Sequence, residues 1–143
     1  MRLSVTTPRG AIVESDVDEV TAPGELGELG VLPGHVPLMT SLKPGVLTYR
    51  EDSRSGTMAV GQGFLQVAPA MVAGKATDRI LVLVDQAVAA ASVDRAAAER
   101  ALAGAEAEIA AWKRELDGAY RALVGRRDWA LAQINAAARV QTS

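Results

Sequence analysis

Between Gly27 and Leu38 the chain reads Gly-Glu-Leu-Gly-Val-Leu-Pro-Gly-His-Val-Pro-Leu, so three glycines, two prolines and the only histidine fall within twelve residues. No helix holds such a run, because glycine surrenders the most backbone freedom there and proline lacks the amide donor. Gly27, Gly30 and Gly34 let the backbone reach positive φ, and Pro33 and Pro37 fix φ near about −65°. The stretch is expected to be a rigid bent loop flanked by short extended pieces around residues 29–32 and 36–39. The turn between them presents Pro33, Gly34 and His35 at a sheet edge. Loops held on a rigid scaffold are where binding residues concentrate.

From Met1 to about Gln86 the remaining signals are those of β structure, short apolar alternations cut by Gly, Pro or Asp clusters. Leu3 and Val5 alternate with polar neighbours, Pro8-Arg9-Gly10 turns the chain, residues 11–13 start a second strand, and residues 17–22 read as a third that ends at Pro23-Gly24. Residues 46–50 and 57–60 flank a polar hairpin loop, Gly61-Gln62-Gly63 signals a bulge or a close backbone approach, and residues 64–67 alternate again. Ile80-Leu81-Val82-Leu83-Val84 is a continuous apolar run, as in a strand buried on both faces. Many short strands with no helix among them make a sandwich or barrel.

At Ser92 the period changes from two to about 3.5, and the alanine-rich composition that follows favours helix. Ser92 is an N-cap candidate, Asp94 complements the positive end of the helix dipole, and Lys113 and Arg114 stand near the other end. Leu102, Ala105, Ile109, Trp112 and Leu116 step by 3, 4, 3 and 4, which draws one apolar stripe. The turn falls at Asp117-Gly118 or at Gly125, and a second helix runs to about Val140 with Leu123, Leu131 and Ile134 apolar. The fold class expected is α+β: an N-terminal antiparallel β-sandwich over residues 1–86, then a linker and an antiparallel two-helix hairpin over residues 87–143. An alanine-rich seam buries less apolar area than a leucine-rich one, by roughly a kcal/mol per missing large side chain. The hairpin is therefore marginal alone and able to choose between the sandwich and a partner.

The chemistry-bearing patterns are thin. Gly27-Glu28-Leu29-Gly30 has the G-x-x-G form of some RNA clamps, but Glu28 would repel phosphate and the flanking helices are missing. Gly61-Gln62-Gly63 opens like a dinucleotide fingerprint, yet Gln66 stands at the third glycine and no helix follows. His35 has no second ligand at metal spacing, which leaves it a packing or interface role. No nucleophile, metal or acid/base constellation emerges, so no enzyme and no cofactor are expected. The net charge of −2 offers no footprint for nucleic acid. With no cysteine there is no disulfide, and no signal core or run of about 20 apolar residues is present, so the expectation is a soluble cytoplasmic chain.

The run from Gly27 to Leu38, followed by Lys43-Pro44-Gly45-Val46-Leu47, resembles the epsilon subunit of bacterial F-type ATP synthase. The resemblance is strongest over residues 17–67 and 80–87 and weaker in the helices. Residues 68–79 are longer than the family's usual tight turn, which leaves their strand pairing open. The resemblance implies a non-catalytic subunit of the central stalk, on the cytoplasmic face of the plasma membrane as a peripheral component. Its partners would be the gamma subunit and the c-ring, and the catalytic beta subunit when the hairpin extends to brake ATP hydrolysis. Glu28, Gly30, Pro33, Gly34 and His35 would then form the contact with the rotor ring and gamma. Read from the residues alone, Glu28 is either a solvated carboxylate or one that meets a partner's cation. Leu83-Val84-Asp85-Gln86-Ala87 resembles the family's strand end, which makes Asp85 an anchor for the docked helices. Arg121, Arg126, Arg127 and Arg139 form the wet face of the second helix; by resemblance of region they are inhibitory contacts to an acidic segment. Some family members bind ATP through Ile/Leu-Asp-x-x-Arg-Ala. Here Val93-Asp94-Arg95-Ala96-Ala97-Ala98 keeps the aspartate and puts Ala97 at the arginine, so ATP sensing is not expected. The rival reading is a free-standing β-sandwich binding module, which gives no reason for the helical hairpin.

Overall fold

The computed structural model describes residues 1–142; Ser143, the last residue of the expected helical region, lies outside them. Ten strands come first: β1 (Arg2–Thr7), β2 (Gly10–Asp16), β3 (Glu19–Gly24), β4 (Gly27–Val31), β5 (Leu38–Leu42), β6 (Gly45–Glu51), β7 (Arg54–Val60), β8 (Gly63–Val72), β9 (Lys75–Val84) and β10 (Ala87–Ala89). A 3₁₀ turn (Ala90–Ser92) leads into α1 (Arg95–Ala110) and α2 (Gly118–Thr142). The strands lie in the order β10-β7-β6-β3-β5-β8-β9-β1-β2, with β4 on β3. The pairing of Gly24 with Leu42 joins two layers, β10-β7-β6-β3-β4 and β5-β8-β9-β1-β2, into an α+β sandwich-plus-hairpin.

The core between the layers takes alternate residues from both: Val20, Leu47, Met58 and Val60 from one, Leu3, Val5, Leu65, Val67, Ile80 and Val82 from the other. It is aliphatic, as a chain with 3% aromatics requires. One strand pair departs from the antiparallel expectation, since β1 runs parallel to β9. Residues 68–79 resolve simply. They lengthen β8 and β9 into one hairpin paired from Gly63–Val84 to Val72–Lys75, and Ala73 and Gly74 turn at φ 51° and 79°.

The apolar run of β9 is buried on one face only, since Leu83 is 46% exposed while Ile80, Val82 and Val84 are buried. The strand pair covered on both faces is β6-β7. Leu47 and Met58 point into the sandwich, whereas Val46 and Ala59, directly paired, point outward under α2 with Ala90, Ala132, Ala136 and Trp129. Successive side chains on a strand alternate faces, so a docked helix is what turns a one-sided strand into a two-sided one.

Helix α2 carries two seams. Ala132 and Ala136 belong to the sheet contact, whereas Leu123, Ala130 and Ala137, seven residues apart, are buried alongside Ala98 and Ala105 of α1, also seven apart. Leu131, expected in the seam, is 42% exposed. Small alanines at both seams let the helices approach closely. Helix α1 ends at Ala110, so Trp112 and Leu116 fall in the connection and not on the helical stripe, and Lys113 and Arg114 lie there too. Trp112 packs against Tyr120 in a tilted contact, 5.4 Å between ring centroids, lies under the Arg114 guanidinium at 4.4 Å and donates its indole N–H to the Glu115 carbonyl. These local contacts stop the helix. The N-cap of α1 is Asp94, not Ser92: its carboxylate accepts the Ala97 amide at 3.0 Å. Asp117 does the same for α2 through the Tyr120 amide, so α2 begins at Gly118 and Gly125 lies inside it.

Candidate functional site

The site expected around residues 27–38 is built on the β3–β4 hairpin. Gly24 pairs with Gly27, and a Cβ at Gly24 would come within 2.6 Å of the Gly27 carbonyl oxygen, so the tight turn requires glycine there. Gly27 itself sits at φ +136°. Gly30 has ordinary strand geometry with open space around it, so the positive φ expected of it is not used. Leu26, at the tip, is fully exposed, and Glu28 faces solvent opposite Pro23.

After β4 the chain bends through Leu32, Pro33 and Gly34. The His35 amide donates to the Leu32 carbonyl at 3.1 Å, and Gly34 sits at φ +84°. What holds this bend is a residue 44 positions away: the Gly34 amide donates to Asp78 Oδ2 at 3.1 Å. His35, half-buried, has its Nδ1 2.7 Å from the Val36 carbonyl. A carbonyl only accepts, so Nδ1 carries the proton and Nε2 is left for another partner. Glu28 and His35 share one shallow hollow with Leu26, Leu29, Leu38 and Thr40, whereas Gly30, Pro33 and Gly34 do not line it.

Asp85 follows β9 as an exposed residue whose amide donates to the Gln62 carbonyl. Its carboxylate occupies the space a side chain on Gly61 would need, and it faces Arg121, Arg126 and Trp129 of α2 across an open cleft. The basic residues of α2 are mostly engaged within the chain. Arg126 reaches Glu108 of α1 at 3.8 Å, Arg127 its neighbour Asp128 at 3.0 Å, and Arg139 reaches Glu28 of β4 at 3.9 Å. Such exposed pairs contribute about 0–1 kcal/mol each and are easily exchanged.

Sequence reasoning missed three participants. Asp78, the tether of the loop, and Trp129, the largest side chain between hairpin and sheet, carry no local signal, because each acts through a contact distant in sequence. Leu26 was legible, since an apolar residue at a Gly-framed turn has nowhere to hide. No helix among the described residues is long and apolar enough to cross a membrane.

Comparison with known proteins agrees with this architecture. Residues 1–90 match the family described as ATP synthase, Delta/Epsilon chain, beta-sandwich domain. ATP synthase epsilon chain 2 of Syntrophotalea carbinolica is 41% identical over 101 residues, covering 71% of this chain and 67% of that one. The epsilon chain of Anaeromyxobacter sp. strain K is 44% identical over 101 residues, covering 71% and 70%. Among solved structures, a chain of the Euglena gracilis mitochondrial ATP synthase (OSCP/F1/c-ring) shares the fold at a TM-score of 0.63 and 20% identity, over 98% of this chain and 78% of that one. A chain of the Tetrahymena thermophila mitochondrial ATP synthase central stalk/c-ring shares it at 0.62 and 18%, over 96% of both. With the family matched across the whole sandwich and bacterial epsilon chains matched on into the helical region, the chain belongs to the ATP synthase delta/epsilon family.

Proposed function

We propose that this chain is a non-catalytic rotor component that joins gamma to the c-ring and, through its C-terminal hairpin, regulates ATP hydrolysis. The observation that carries the reading is the loop of residues 27–38, which displays Glu28 and His35 from a hairpin locked by Gly24 and Gly27 and a bend tied to Asp78. A rigid mount suits a contact that must pass torque. A second face supports the same reading. On the outside of β5-β8-β9, the only phenylalanine, Phe64, lies exposed beside Leu83 and near Met39, an apolar strip suited to gamma. The chain would then sit on the cytoplasmic face of the plasma membrane, held there by the complex. A pull-down from solubilised membranes tests the reading, with gamma and c subunits as the expected catch. Recovery of the chain without either would overturn it.

Within that reading, Glu28, Gly30, Pro33, Gly34 and His35 make the rotor contact, Asp85 helps to dock α2, and Arg121, Arg126, Arg127 and Arg139 serve the extended hairpin. Reversing Glu28 to Lys is expected to speed dissociation from the ring and steepen its salt dependence, with the melting temperature nearly unchanged. Equal binding by the variant would remove Glu28 from the contact.

ATP is not a ligand of the hairpin in this proposal. Asp94 already caps α1, and Ala97 stands where the family's binding pattern has arginine. Loss of a bidentate cation from a phosphate site costs roughly 1.5–3 kcal/mol, ten-fold or more in affinity. Calorimetric titration of the isolated protein is expected to show no saturable ATP site tighter than about a millimolar. Such a site, if found, would mean that other residues have rebuilt the pocket.

A further inference from the structure

We propose that Glu28 serves two alternative cationic partners, Arg139 at the end of α2 and a cation of the rotor ring, so that ring attachment and hairpin docking oppose each other. The inference rests on the rotor-contact reading of Glu28. Arg139 lies three and seven residues beyond Ala136 and Ala132, on the face of α2 that packs on the sheet. That register carries its guanidinium past β6 to β4, where Nη2 lies 3.9 Å from Glu28 Oε2. Glu28, Lys43, Asn135 and Arg139 line one hollow between α2 and the sandwich. Asp128, another acid lining that hollow, lies 3.0 Å from Arg127, whereas Glu28 is the one that reaches across from the sandwich to Arg139.

A second cation brought to Glu28 would meet Arg139 and Lys43 at close range. Like charges repel, so a ring cation on Glu28 favours release of the last turns of α2. By linkage, a docked α2 weakens the ring contact by the same factor. The two side chains are 49% and 62% exposed, which limits that factor to about two- to five-fold. A modest coupling suits a hairpin that must be able to leave.

The test has two arms on the full-length chain. Amide hydrogen exchange over residues 132–140 is expected to rise about two- to five-fold in Arg139→Gln and in Glu28→Gln, and no further in the double variant. Unchanged exchange in either single variant, or additive effects in the double, would overturn the latch. The second arm measures binding of the chain, together with gamma, to purified rotor ring. Arg139→Gln is expected to tighten binding by the same factor, and Glu28→Lys to weaken it. If Glu28→Lys weakens binding while Arg139→Gln leaves it unchanged, the shared-partner proposal falls and the rotor contact stands. If Glu28→Lys binds like the parent chain, the rotor contact itself falls, and the proposal with it.

Discussion

A chain ending at Ala91 is expected to fold, to assemble with gamma and the ring, and to leave the complex hydrolysing ATP about five-fold or more faster than it does with the full-length chain. The physical ground is the separation of the two apolar clusters. The core between the layers draws no buried residue from beyond Val84, and β10, the last strand, is retained in the shortened chain. What α2 covers is a small outer patch of Val46, Ala59, Val88 and Ala90. Exposing that patch costs the sandwich roughly 1–3 kcal/mol, which lowers its melting temperature without abolishing the fold. Circular dichroism melts, co-purification and hydrolysis rates check the three parts. An insoluble product, or an enzyme left uncoupled, would show that the hairpin is part of the structural body and not an appended regulator.

Gly63→Ala is expected to be the most damaging single methyl in the chain. At the start of β8 the Gly63 Cα faces the backbone of its partner strand, and a Cβ there would be driven into the Leu83 carbonyl oxygen and the Val84 Cα. Backbone atoms cannot swing aside as a flexible side chain does, so β8 and β9 must separate at the end of their ladder. The expected loss is about 3 kcal/mol, or a melting temperature lower by roughly 10 °C. Gly125→Ala supplies the contrast. Gly125 lies inside α2 with nothing within 4 Å of a new methyl, so alanine should stabilise the hairpin by about 0.5–1 kcal/mol through helix propensity. A thermal or urea melt that ranks the two the other way would contradict this assignment of the glycines.

Both predictions depend on how residues distant in sequence meet, and the legibility of the chain divides along that line. The turn glycines and the alternation of β1 were readable because each is a local steric fact, and Gly61-Gln62-Gly63 marks a close approach without saying that its partners are Asp85 and the Leu83 backbone. The end of α1 carries no such local mark. Trp112 and Leu116 keep the helical period, yet Trp112 folds onto Tyr120, Arg114 and the Glu115 carbonyl and takes the chain out of the helix. Ser92 satisfies the residue preference for a cap, but a 3₁₀ turn that leaves no mark on composition takes it up and passes the cap to Asp94.

By itself the sequence determined that strands precede a helical hairpin, that the chain bends within residues 27–38, and which family's pattern it carries. These follow from propensities and φ restrictions that act within a few residues. Only the tertiary structure decided which strand is buried twice, since Leu83 and Ala59 look alike in an apolar run until α2 lies over one and solvent over the other. The same holds for the loop tether at Asp78, the parallel pairing of β1 with β9, and the meeting of Glu28 with Arg139. Contacts of that kind are set by which faces remain open once the core has closed, and no local preference encodes them.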